Sequence, residues 1–263
     1  MKLLFSETTP DYSRYLYPYV IWAVPEPGET PADLLAAGFL PASPQLDRFY
    51  LCRQIRVPLA GWTPSSENRR ILRKGDGLTC ALVPRGEFAY TPDRKAAWLA
   101  YAAERFGDGV MSEQRLDTLM AAPVISHLLV FRDTAAGREV GTALLFLQEP
   151  RLAFYYYAFY DLAYADRSVG MFMMTAAVKW FAERGGAHLH LGTCYSERAL
   201  YKAQFAGVEF FNGFRWSTDM KELKHLLQRD PAGPHLLAER GFLEEQGGLD
   251  GIAAASRFRC PLV

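Results

Sequence analysis

Three short stretches of the 263-residue sequence carry side chains whose type and spacing suit chemistry. The first, Asp166-Arg167-Ser168-Val169-Gly170-Met171-Phe172, leads from a strand into a long helix. A helix start offers free backbone N–H groups and the positive end of the dipole, so this loop suits an anion. It equally suits a plain helix start at Ser168 with Gly170 kept small for packing. The second stretch joins the strand end Leu191-Gly192-Thr193-Cys194-Tyr195 to Leu200-Tyr201-Lys202-Ala203-Gln204-Phe205. Strand ends followed by helices place polar groups at the edge of a cleft, where α/β folds bind ligands. Tyr201 or Cys194 can give a proton to a leaving oxygen or thiolate there. A covalent role for Cys194 needs a neighbouring base, which its sequence neighbours do not supply. His188 and His190 alternate on the strand before it and lack a third ligand at useful spacing, so they read as structural rather than as a metal pair. The third stretch, Arg69-Arg70-Ile71-Leu72-Arg73-Lys74, puts four cations in six residues. Such a helix face meets either a phosphate backbone or water.

The elements that must position these residues follow from periodicity. The aromatic and β-branched run Arg48 to Pro58 reads as one strand stopped by Pro58. Thr30-Pro31 opens a short helix that Gly38 ends. Leu78 to Pro84 reads as a strand, Asp93 to Arg105 and Ser112 to Met120 as helices, the second with Ser112 as a cap. Strands follow over His127–Phe131, Glu139–Leu147 and Arg151–Asp161, the last rich in tyrosine and phenylalanine. Then come a long helix from Ser168 to Glu183, a strand His188–Leu191, a helix Ser196–Phe205, a closing strand Glu209–Trp216 and a helix Met220–Arg229. The order β-β-β-α-β-α-β belongs to an α/β domain with a mixed sheet. Residues 1–75 read as a small N-terminal α+β region, 76–217 as the α/β domain with the mixed sheet, and 218–263 as a helical tail.

Composition narrows the class. Lys plus Arg and Asp plus Glu both total 29, so no global basic excess serves a wide nucleic-acid grip and only local patches remain. Cys52, Cys80, Cys194 and Cys260 form no C-x-x-C pair, which fits a reducing cytoplasm better than a disulfide framework. No apolar run reaches the roughly 18 residues of a membrane span, and the expected location is the cytoplasm.

The loop Arg167-x-x-Gly170-x-Phe172 resembles the Arg/Gln-x-x-Gly-x-Gly/Ala loop of GNAT folds, with Phe172 where the last small residue belongs. Four ordered segments resemble the arginyl- and leucyl-tRNA–protein transferase family. They are Leu35-Ala-Ala-Gly38-Phe39 with Arg48-Phe-Tyr50; Cys52 to Pro58 running into Trp62 to Lys74; Ala158-Phe-Tyr160-Asp161 with Arg167 to Gly170; and Leu189 to Gly192 with Tyr201 to Phe205 and Trp216. The resemblance implies a GNAT-like mixed sheet with flanking helices, an aminoacyl-tRNA donor and an amine acceptor such as a protein N-terminus, peptide or small amine. It implies that Tyr160, Asp161, Tyr201 and Lys202 line the reaction cleft. Arg167, Ser168, Gly170, Phe172, Gly192 and Cys194 would hold the donor end, and Arg69, Arg70, Arg73 and Lys74 tRNA phosphates. The family also has an aromatic residue at the position of Phe172 and does not use coenzyme A. Its N-terminal cysteine cluster is matched only by Cys52, so no iron–sulfur cluster, and no other cofactor or metal, is expected. The alternatives are an acyl-CoA-dependent N-acyltransferase and a non-catalytic GNAT-like binding module.

Overall fold

A computed structural model describes residues 1–13, 18–150, 152–229 and 236–256. Strands β1 (Lys2–Glu7) and β2 (Tyr19–Val24), helix α1 (Pro31–Ala36) and strands β3 (Phe39–Pro41) and β4 (Phe49–Leu51) come first. The four strands form an antiparallel sheet in the order β1-β2-β4-β3. The chain then runs through β5 (Gln54–Pro58), α2 (Ser66–Lys74), β6 (Leu78–Pro84), α3 (Pro92–Phe106), α4 (Glu113–Ala121), β7 (His127–Asp133), β8 (Arg138–Gln148) and β9 (Leu152–Tyr160). It continues with α5 (Val169–Ala182), β10 (His188–Thr193), β11 (Glu209–Phe211), β12 (Trp216–Ser217), α6 (Met220–Gln228), α7 (Arg240–Glu245) and α8 (Gly248–Ala255). The second sheet is mixed and has eight strands in the order β12-β11-β5-β10-β9-β8-β7-β6.

The local chemistry explains the helices. Ser65 caps α2 by accepting from the Asn68 N–H at 3.1 Å, while Asn68 returns a bond to the Ser65 N–H. Thr91 and Ser112 cap α3 and α4 in the same way. Helix α5 carries no charge before Lys179 and buries Val169 and an almost unbroken run from Phe172 to Val178. A helix apolar on most of its circumference belongs inside a core. It packs on β5, β7, β8, β9 and β10 in the largest apolar cluster. Helices α3 and α4 cover the opposite face of β7 and β8 through Trp98, Leu116 and Leu119.

Three expectations from the sequence need correction. Arg48–Pro58 is two strands, because the chain turns at Cys52-Arg53, where the Gln54 N–H bonds the Cys52 carbonyl at 3.0 Å. The half before the turn joins the small sheet, and the half after it enters the large sheet between β11 and β10. The large sheet therefore takes an interior strand from within residues 1–75, and the boundary expected at residue 75 is not a boundary between sheets. Ser196–Phe205 is not an α-helix but a 3-10 helix over Glu197–Ala203. The closing strand Glu209–Trp216 is a hairpin: the Asn212 side chain accepts from the N–H groups of Phe214 and Arg215 and turns the chain. Strand β1 gave no signal in the sequence. Arg151, taken as a strand start, and Cys260 lie outside the described residues. Helix α6 packs on the main core through Leu223 and Leu226, and its buried Glu222 accepts from Asn212 at 2.7 Å and Ser217 at 2.6 Å. No helix among the described residues is long and apolar enough to cross a membrane.

The end of α2 meets α5 at one glycine. A Cβ at Gly75 would collide with the Phe172 ring, which lies edge-on to Phe131 at 6.0 Å. Gly75→Ala is expected to cost about 1–3 kcal/mol in urea denaturation. Adding Phe172→Leu should make the double variant lose less than the sum of the two single changes, because the two sites share one space.

Candidate active site

Strands β9 and β10 run parallel and pair at only three positions, Leu152–His188, Ala153–Leu189 and Phe154–His190. Beyond Phe154 they part. Each carries a bulge at the parting: β9 pairs with β8 at Tyr155–Leu145 and then Tyr157–Leu144, leaving Tyr156 extra. Strand β10 pairs with β5 at His190–Arg56 and then Gly192–Ile55, leaving Leu191 extra. A bulge bends its strand and increases local twist, so two of them on facing strands open the sheet.

The gap holds a cavity of about 260 Å³. Strand β9 contributes Tyr155, Tyr156, Tyr157, Ala158 and Tyr160; Tyr101 and Phe106 come from α3, Gly170 and Met174 from α5. Leu191 and the 3-10 residues Tyr201 and Lys202 complete the wall, and no carboxylate of the described residues lines it. Tyr201 is 46% exposed and stands at the mouth, whereas Tyr155 is 6% exposed and lies deep. Gly170 admits the Tyr160 ring, since a Cβ there would come within 3.0 Å of it. Tyr101 and Tyr160 pack edge-to-face at 4.8 Å between centroids. Burial raises the pKa of Tyr101, Tyr155 and Tyr201, so these phenols stay protonated and able to donate.

Lys202 is held by the strand end. Its Nζ donates to the Thr193 carbonyl at 3.0 Å, and Gly192, with φ of +83°, leaves the space beside it. It forms no ion pair among the described residues, and burial pushes its pKa down.

Of the residues expected from the sequence, Tyr160, Gly170, Tyr201 and Lys202 meet in this cavity, with Gly192 behind Lys202. The others lie elsewhere. Asp161 points into a second cavity of about 510 Å³, accepts from the Ala163 N–H at 2.9 Å and stands 3.3 Å from Arg138. Arg167 gives its guanidinium to the carbonyls of Asp76 at 2.7 Å and Lys74 at 3.3 Å, closing the end of α2 rather than reaching into an anion loop. Ser168 takes the left-handed N-cap position at φ 56° and accepts from Lys74 at 2.9 Å. Phe172 is buried under Gly75. Cys194 is fully buried and its thiol pKa is raised by burial, which removes it as a nucleophile. His190 donates from Nδ1 to Gln54 at 2.8 Å and is kept neutral by burial, in keeping with a structural role. The basic helix is uneven: Arg70 is paired with Glu67 and Lys74 is engaged by Ser168, while Arg69 and Arg73 are exposed and outside any ion pair among the described residues. Tyr101 and Tyr155–Tyr157 were not expected; for the three on β9 the one sequence signal was that strand's aromatic density. Among the described residues no group of three or more His, Cys, Asp or Glu could hold a metal ion.

Residues 69–203 match the acetyltransferase (GNAT) domain family. The aspartate/glutamate leucyltransferase of Methylobacterium sp. (strain 4-46) is 31% identical over 172 residues, covering 60% of this chain and 68% of that protein. The chain belongs to the aminoacyl-tRNA–protein transferases of the GNAT family. Proteins of the same name from Cereibacter sphaeroides (24% identical over 200 residues, 72% of this chain and 70% of theirs) and Chromobacterium violaceum (23% over 188 residues, 69% and 75%) extend the likeness. As a GNAT-family transferase the protein is an acyltransferase, and the opening between β9 and β10 is its candidate reaction site.

Lys202 carries a stability signature. Its neutral form is favoured by the fold, so between the lowered pKa and the ordinary 10.5 the unfolded chain binds more protons and stability rises with pH. Lys202→Met should therefore melt higher than wild type near neutral pH, by roughly 1 kcal/mol. Thermal denaturation at stepped pH should show that gain shrinking as the pH approaches 10.5.

Proposed function

We propose that the protein moves an aminoacyl group from charged tRNA to the amine of a peptide or protein N-terminus, within the cavity between β9 and β10. The observation that carries this reading is the size and lining of that cavity. At about 260 Å³ it falls below the roughly 300–1,000 Å³ of pockets that enclose drug-sized ligands. It suits an acyl end whose carrier stays outside. The relatives' name, aspartate/glutamate leucyltransferase, makes leucyl the first donor to test and Asp or Glu the first N-terminal acceptors.

The reaction asks little covalent help. The acceptor nitrogen bonds to the ester carbonyl carbon, the bond from that carbon to the ribose oxygen breaks, and one proton passes from the nitrogen to the departing oxygen. Positioning the two reactants supplies much of the rate. Lys202, desolvated and without a carboxylate partner among the described residues, takes the proton from the attacking nitrogen, Tyr201 at the mouth gives one to the ribose oxygen, and the proton on Lys202 then passes back to Tyr201 to restore both groups. Outside, Arg73 and Arg69, the latter also donating to the Pro64 carbonyl at 2.7 Å, offer the tRNA backbone charge that no ion pair among the described residues takes up. Lys74, through its bond to Ser168, ties that helix to the start of α5 two residues from Gly170. The same joint speaks against coenzyme A, because Arg167 is committed to the α2 carbonyls and Lys74 to Ser168 where a pyrophosphate would need free partners.

Labelled leucine on tRNA, offered with peptides beginning with Asp or Glu, should appear in the peptide. Lys202→Arg, which keeps the charge and cannot act as a base, should lower kcat about 10²–10⁴-fold. The wild-type rate should rise with pH through a pKa below 10.5. Arg69→Glu and Arg73→Glu should weaken tRNA binding and reduce the salt slope by about one each. Absence of transfer together with tight acetyl-CoA binding by calorimetry would overturn the proposal in favour of an acyl-CoA donor.

A further inference from the structure

One group in the cavity has no structural use. Tyr155 is only 6% exposed, and its hydroxyl has no hydrogen-bond partner among the described residues. Leaving a buried hydroxyl unbonded is costly, and native proteins keep few such groups without a functional reason. Phenylalanine would fill the same space without that cost.

Its place in the sheet is equally specific. Phe154 is the last residue of β9 paired with β10, and Tyr156 is the bulge. Tyr155 is thus the first residue of β9 at the parting, still held in register by Leu145. Tyr101 and Tyr201 line the same cavity, and their phenols bear electrostatically on the Tyr155 hydroxyl. The rest of the deep lining includes Met174 and Leu191, which supply no acceptor for the hydroxyl.

We propose that the Tyr155 hydroxyl is the hydrogen-bond donor that receives the carbonyl oxygen of the transferred acyl group. Every acyl ester brings one acceptor atom into such a cavity whatever its side chain, and that atom is the carbonyl oxygen. As the acceptor nitrogen bonds to the carbonyl carbon, the C=O π pair moves onto oxygen. It returns as the bond to the ribose oxygen breaks. The donor bond from Tyr155 is then stronger in the transition state than in the bound ester, which is the condition for raising kcat. The surroundings agree: no carboxylate repels the developing charge, and Lys202 gains its proton as that charge appears. This assignment rests on the acyl-transfer reading of the cavity.

Tyr155→Phe removes one oxygen atom and tests it. The variant should melt at or above the wild-type temperature, because an unsatisfied group is gone. It should lose about 10²–10³-fold in kcat, with KM for charged tRNA unchanged and an equal loss for leucyl and other aminoacyl donors. A purely structural tyrosine would not couple higher stability to slower turnover. Unchanged kcat overturns the assignment, as does a loss confined to one donor, which would make the hydroxyl a reader of the side chain. A second measurement separates this inference from the function itself. The phosphonate analogue of leucine is tetrahedral and anionic, and by calorimetry wild type should bind it more tightly than leucinamide, with the preference lost in Tyr155→Phe. If that holds while no charged tRNA serves as donor, the tRNA reading fails and the assignment of Tyr155 stands. If wild type transfers leucine and shows no phosphonate preference, or the variant keeps it, the assignment fails and the function stands.

Discussion

Everything in this molecule depends on a parallel strand pair that stops after three rungs. Paired in full, β9 and β10 would close the large sheet and bury a continuous face. With bulges at Tyr156 and Leu191 they separate, and the sheet becomes two wings joined near Phe154 and His190. Two features keep the wings from drifting. Helix α5 packs across both, contacting a core built from Ile55 and Val57 on one side and Leu129, Phe131 and Ala143 on the other. The far wing is braced by Arg56, whose guanidinium stacks 3.7 Å above the Trp216 ring and bonds Glu209 at 2.6 Å. A buried arginine satisfied by both a ring and a carboxylate fixes β5 against the hairpin. The gap stays open because its walls are tied elsewhere.

The second dependency joins charge to cavity. Helix α2 carries the exposed cations, and α5 carries Gly170 at the cavity wall. They are locked through three different interactions: Gly75 against Phe172, Arg167 on the carbonyls of Lys74 and Asp76, and Lys74 on Ser168. Carbonyls at a helix end are unsatisfied, and a cation there also meets the negative end of the dipole. Arg167 thus answers a local need of α2. A polyanion gripped by Arg69 and Arg73 is by this joint held at a fixed distance from the reaction site, without any loop having to reorder.

Much of this was legible in the sequence where the cause is local. Leu78–Pro84 is a strand, α3 covers the Asp93–Arg105 periodicity and the α4 cap is where Ser112 puts it, because alternation and capping act over a few residues. Tyr201 and Lys202 could be placed at one opening because they follow a strand end, and the family resemblance added Tyr160 and Gly170. What failed depends on distant partners. Nothing in Cys52-Arg53 announces that Gln54 will leave the small sheet and enter the large one, since the neighbours of β5 lie far along the chain at Glu209 and His190. Arg167 has the right type and spacing for an anion loop, yet type and spacing do not say whether a guanidinium meets phosphate or a neighbouring carbonyl. Tyr155 was hidden for another reason. In a run of aromatic residues on a strand buried on both faces, periodicity carries no contrast, and only the bulge decides which ring faces the gap.

The misplacement of Asp161 is instructive for the chemistry. Asp161 follows the last residue of β9: it and Tyr160 both line the larger cavity, but only Tyr160 also reaches the one that holds Lys202. Tyr160 packs with Tyr101 as a wall, and the carboxylates of Asp93, Glu139 and Asp161 all lie on its far side with Arg94 and Arg138 for partners. Had Asp161 faced Lys202, the pair would have favoured the charged lysine and raised its pKa. Burial alone acts on Lys202 in the opposite direction. A tyrosine wall that segregates acids from one lysine is therefore a chemical device as much as a packing one. In the proposed reaction it leaves Lys202 able to accept a proton in a space where negative charge would develop on an acyl oxygen.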